Sequence, residues 1–256
     1  MPDAPLLALA DASLLGFALL VFVLLFAAME AAYRLGLRCA DQGEGMRTTT
    51  GLITGSMLAL FAFLLGIMFS MAANRHDSRR QSVLDEANAL GTAWLRTELL
   101  GAAPSAALRP LLRDYMDQRI AAIAAAPDWP RIGALQDAIW REAAAAALAA
   151  PGPLAAQSIA ALNQVFDMAT TSRRNFRHGV PAHVLRLVVA VAILSGAAMG
   201  FQFGLHRHRQ LGVMLLLLVT WTVGLVLVVD IDSPRSGSVR IDPAPLVWTL
   251  ESWGKP

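Results

Sequence analysis
From Gly51 to Ala73 the chain runs 23 residues without an ionisable group, and comparable runs extend from Ala12 to Met29, Leu187 to Leu205 and Leu211 to Val229. A helix rises about 1.5 Å per residue, so about 20 apolar residues cross a hydrocarbon core roughly 30 Å thick. In lipid every backbone N–H and C=O must bond within its own segment, which makes helices the form these runs take. The expected fold is all-α: an integral membrane protein with four transmembrane helices. A hydrophobic fraction of 56% against 16% charged residues agrees, and excludes an ordinary soluble enzyme.

The runs divide the chain. Residues 1–73 are expected to hold the first helix pair, at about 12–32 and 51–73, and residues 182–230 the second, at about 184–205 and 211–230. Between helices 2 and 3, residues 74–181 form an inserted extramembrane helical bundle, and 231–256 an irregular C-terminal tail. No Gly or Pro lies between Ile67 and Leu90, so nothing in the chain chemistry ends the second helix at the bilayer surface. One helix from about Gly51 to Leu100 would be roughly 75 Å long, linking membrane and bundle.

The N-terminal stretch has Asp3 and Asp11 but no basic residue before the first run, which favours a retained span over a cleaved signal. Glu30, Arg34 and Arg38 recur every four residues, as a headgroup-level ion pair would. Phe61, Phe63 and Phe69 are read as lipid-facing or packing side chains in preference to a pore constriction. Beyond the membrane, Val83, Ala87, Leu90 and Trp94 repeat with the spacing of a packing seam. Beside it runs a polar stripe of Arg75, Arg79, Ser82 and Glu86, read as solubilising the seam or setting partner register.

The bundle continues with an amphipathic helix over Pro104 to Ala126, in which Pro110 is expected near the first turn. Pro127-Asp128-Trp129-Pro130 breaks it, and an Ala-rich helix follows with a thin stripe of Leu135, Ile139 and Leu148. After Pro151-Gly152-Pro153, a last helix to about His178 turns Ile159, Leu162, Phe166 and Ala169 inward. In the third span Gly196, Gly200 and Gly204 make two consecutive GxxxG steps, the mark of a close helix contact within or between subunits, with a glycine-lined ion path as the alternative.

His206-Arg207-His208-Arg209 is a juxtamembrane basic tetrad suited to anionic headgroups. In the tail, Asp230 and Asp232 resemble the opening of a calcium loop, but Pro234 and Arg235 stand where that loop needs Asp or Asn and then Gly. Val239 to Asp242 alternates briefly, as a short extended segment would. The 20 Arg and one Lys nearly balance 19 acids, so a nucleic-acid partner is not expected. Cys39 is the sole cysteine, and neither cofactor, metal site nor catalytic motif is expected. Four spans put both termini and the bundle on one side. Arg34, Arg38, Arg47, Arg207 and Arg209 on the short loops make that side periplasmic by the positive-inside rule.

Ala73 with Arg75, Arg79-Arg80 and Glu86-Ala87-Asn88, then Leu112-Arg113-Asp114-Tyr115 and Arg119, Asn163 with Arg173 and Pro181, and Asp232-Ser233-Pro234 with Gly237 together resemble the bestrophin-like domain family. Arg235 departs from the family's usual aromatic residue. The resemblance implies a bacterial inner-membrane protein of unknown function distantly similar to anion channels, with the lipid bilayer, further copies of the chain and inorganic anions as partners. The candidate ion-path or coupling residues are Arg75, Arg79, Arg80, Glu86, Asn88, Asp230 and Asp232. Salt bridges from the arginines to Glu86, Asp230 and Asp232 are the simpler account of the same residues. Two functions compete: an oligomeric anion channel, and a non-conducting sensor or interaction module whose bundle engages a partner.

Overall fold
The computed structural model describes residues 13–41, 44–177, 179–234 and 237–254, and no strand occurs among them. Four helical runs are long and apolar enough to cross a membrane: Leu14–Arg38, Glu44–Leu100, Pro153–Leu205 and Leu211–Asp232. The chain divides into two compact units, Met1–Asn74 with Gly179–Val239, and Arg75–His178 with Arg240–Pro256.

In the first unit, helix α1 (Leu14–Arg38) starts where the Ser13 hydroxyl accepts a bond from the Gly16 N–H at 3.0 Å, satisfying one donor left open at the helix start. Helix α2 (Glu44–Arg96) is 53 residues long and unbroken. A 3-10 turn, Thr97–Leu100, tightens its end, and Gly101 stops it with φ 102, a conformation that favours glycine. Of these, the N-terminal part of α2 belongs to the first unit, with α6 (Ala182–Leu205) and α7 (Leu211–Asp232). The core there is apolar: Phe17, Val21, Leu25, Phe61, Met68, Val188, Ala192, Leu218 and Leu225 are buried. Phe61 packs on Trp221 with ring centroids 4.7 Å apart, whereas Phe63 is 65% exposed. Two hydroxyls in these helices bond to backbone on a neighbour. Thr54 donates to the Ala198 carbonyl and Ser195 to that of Met57, which joins the helices through hydrogen bonds as well as packing.

The second unit is built from the C-terminal part of α2 with α3 (Ala102–Ala124), α4 (Trp129–Ala149), α5 (Pro153–Arg177) and α8 (Ala244–Ser252). The seam residues Val83, Ala87, Leu90 and Trp94 are all buried, facing Leu108, Leu112, Tyr115, Ile139 and Leu162. Helix α4 is opened by Asp128, whose side chain accepts from the Arg131 N–H at 3.1 Å, with Pro130 in the first turn, where its missing N–H costs nothing.

Several expectations need correction. Pro110 sits well inside α3, which begins at Ala102. Pro110 and Ala106, whose carbonyl loses its helical partner to the ring, both lie on the exposed side of the helix. Leu148 does not join the α4 stripe: it is 82% exposed, and Ile132, Ala143 and Ala146 fill the buried face. The tail is not irregular throughout. The helix ending at Asp232 enters it, and α8 forms beyond Pro243 because Leu246 is fully buried and Pro245 presets the first turn. Val239 to Asp242 pairs with no strand; Ile241 is buried in the bundle core instead. Arg235 lies outside the described residues.

Candidate functional site
The polar stripe on α2 is the first group the structure resolves. Arg79, Ser82 and Glu86 are buried, at 1%, 4% and 1% exposure, so this stripe does not solubilise the seam. An isolated charge in such a place would be prohibitive, and each of these groups is matched. Arg79 donates through Nε to the Asn175 carbonyl at 3.1 Å, and Asn175 returns a bond from Nδ2 to the Ser78 carbonyl at 3.4 Å. The Ser82 hydroxyl donates to the Arg79 carbonyl at 2.8 Å. Arg75 is half-buried, while Arg80 and Asn88 are exposed.

Glu86 pairs with Arg119 of α3, not with an arginine of its own helix. The guanidinium donates through Nε to Oε1 and through Nη2 to Oε2, the latter at 2.9 Å, and Nη2 also reaches the Ser172 hydroxyl of α5 at 3.3 Å. Both side chains are over nine-tenths buried. Such a two-pronged bond matches the planar guanidinium to the carboxylate. Burial works against the charge on Arg119, but the bonds from Glu86 overcome it and raise its pKa. Nearby, Tyr115 is fully buried and its hydroxyl accepts from Gln136 at 3.1 Å; burial, with the Glu86 charge, pushes the phenol up to about 12. Trp129 caps the group, with Arg173 stacked 4.0 Å from its ring centre. The spacing of Glu86 and Arg119, 33 residues apart in the chain, offered no pairing signal.

In the first unit the two tail acids close loops. Asp230 is buried and accepts from the Ser238 N–H at 2.8 Å and from its hydroxyl. Gly237 has φ 101, and any Cβ there would strike the Asp230 carboxylate. Asp232 accepts from the Val180 N–H at 2.5 Å. These acids therefore organise the chain after α7 and the chain before α6, respectively. The basic tetrad is also engaged: Arg207 pairs with Asp41 at 2.6 Å and Arg209 with Glu30 at 2.8 Å, while Arg34 shares Glu30 at 2.9 Å.

The glycine ladder resolves as an intrachain contact. A Cβ at Gly200 would overlap the Met29 carbonyl, one at Gly204 the Tyr33 carbonyl, and one on α1 at Gly36 the Phe201 carbonyl. Gly196 is looser: its added Cβ would lie 3.8 Å from Trp221 and 3.9 Å from the Leu25 carbonyl. Gly36, isolated in sequence, was the missed partner of the ladder. Among the described residues no group of three or more His, Cys, Asp or Glu side chains could hold a metal ion.

Four membrane-type helices, a glycine-locked helix pair and a bundle closed on a buried ion pair define an all-helical integral membrane protein. The match to the bestrophin-like domain model runs over residues 15–246, from α1 into α8, and the chain belongs to that family. No curated protein and no solved structure matches it.

Proposed function
We propose that the chain is the subunit of a homo-oligomeric, bestrophin-like anion channel, with α2 along the pathway. The observation that carries this reading is the bare face of α2. Only 17% of its most apolar window is buried, close to the 22% of the first run and well below the 44% and 39% of the last two. Added Cβ atoms at Gly55 and Gly66 on that helix would meet nothing within 4 Å. Small residues exposed to lipid gain little, whereas the ladder of α6 illustrates what such residues do when a second backbone reaches them. Further copies of the chain around α2 would use that face.

Arg75 and Arg80 are then the side chains that concentrate anions at the pathway mouth. Arg79 is buried against Asn175 and serves instead to hold α2 on α5. The bundle and both termini lie on the periplasmic side of a bacterial inner membrane in this reading. A membrane-impermeant thiol reagent should leave Cys39 unmodified in intact cells.

Exposed Trp140, Leu148, Leu154 and Trp248 on the bundle unit favour a second reading, a non-conducting module that binds a partner. Liposome anion flux separates the two. The channel reading expects flux that falls at least ten-fold in the Arg75→Gln, Arg80→Gln double variant with oligomer size unchanged. A well-folded oligomer that passes no anion across a range of pH and voltage would overturn it.

A further inference from the structure
Helix α8 lies on the bundle in a way that resembles a bound peptide. Its anchors are Leu246, Leu250 and Trp253, at i, i+4 and i+7, the spacing by which amphipathic helices fill apolar grooves. Leu246 is fully buried, and Leu250 and Trp253 pack partly buried on the same core. The groove is made by α2 and α3. Gly91 lets the Thr249 methyl approach, an added Cβ there meeting it at 3.4 Å. Trp94 stacks on Trp253 with ring centres 4.3 Å apart and planes 3° from parallel. Arg113 sits 5.1 Å from the centre of the Trp94 ring and donates through Nη2 to the Trp253 and Gly254 carbonyls at 2.8 and 2.5 Å. Those bonds satisfy carbonyls that the end of α8 leaves open, and place a cation at its negative pole.

Nine residues are too few for a helix to persist alone in water, where about 12–15 are marginal. The helix therefore exists because it is docked. Few apolar anchors hold it, while its outer face carries Trp248 at 66% exposure and the exposed Glu251 and Ser252. Segments with few buried contacts open without global unfolding.

We propose that the α2–α3 groove is a helix-recognition site and that residues 240–254 are its built-in, releasable ligand, exchangeable with the same segment of a second copy. Trp94 and Arg113 are the recognition residues: one reads the terminal indole, the other the carbonyls at the helix end. The inference is independent of conduction.

Two measurements on the full-length protein in detergent test it. Amide hydrogen exchange should proceed at least 100-fold faster in α8 than in the core of α3; exchange of both at one rate would overturn the proposal. A fluorescent peptide of residues 240–254 should bind the Trp253→Ala chain, whose own strap is weakened, and at least ten-fold more weakly once Arg113→Ala is added. Equal binding to both, or none to a Trp253→Ala chain that melts like the parent, would also overturn it. If Trp253→Ala fails to fold, the exchange measurement on the unaltered chain decides alone.

Discussion
The two units reach a stable core by opposite means. In the first, α1 and α6 touch backbone to backbone at Gly36, Gly200 and Gly204, and side chains matter by being absent. In the second, a buried carboxylate and guanidinium, Glu86 and Arg119, sit beside the Trp129 indole, on which Arg173 stacks, and the buried phenol of Tyr115. The expected placement of the second unit outside the membrane accounts for the difference. Between lipid-facing helices there is no water to expel, so close packing must supply the attraction. A bundle placed in water, as the sequence leads one to expect of residues 74–181, gains from burying apolar surface, but any charge it buries has to be matched.

The largest test of that contrast is Arg119→Met. It strands the Glu86 carboxylate in the bundle core and should cost about 3–5 kcal/mol, measured by thermal or denaturant unfolding of the bundle unit's tryptophans. Replacing both partners, Glu86→Leu with Arg119→Met, should recover most of the loss. A double variant no more stable than the single would show that the pair does more than satisfy itself.

Next comes the glycine ladder. Gly200→Ala or Gly204→Ala forces a rigid carbonyl aside and should destabilise by about 1–3 kcal/mol. Gly196→Ala, where the added carbon finds ordinary contact distances, should stay within about 0.5 kcal/mol. If all three behave alike in detergent melting curves, the α1–α6 contact is not what orders the ladder.

The smallest effect is set by pH. The Tyr115 phenol is raised from 10 to about 12 by burial and the Glu86 charge. Between those values the unfolded chain releases this proton and the folded one keeps it, so stability falls as pH rises. The loss should reach about 1.4 kcal/mol by pH 11. Tyr115→Phe should remove that part of the alkaline slope in pH-dependent unfolding; an unchanged slope would place its origin elsewhere.

Some of this was legible in the residues. The run from Gly51 to Ala73 could only be a membrane-type helix, and Val83, Ala87, Leu90 and Trp94 announced a buried seam by their spacing. The glycines at 196, 200 and 204 announced a close contact but not its partner, because α1 offers backbone carbonyls there, and every residue has one. Glu86 was visible as part of a stripe, yet neither its burial nor its pairing with Arg119 could be read from spacing on one helix. Helix α8 was missed because its nine residues, flanked by Pro243 and Gly254, hold a helical shape only against the bundle.

By itself, then, the sequence determined that the chain is helical and where it is apolar enough for a membrane, since these follow from hydrogen bonding and transfer of local runs. Tertiary structure alone decided which charges are buried, which helix meets the glycines and whether the tail is ordered. Those outcomes depend on groups far apart in the chain, whose desolvation is favourable only once their partners are in place.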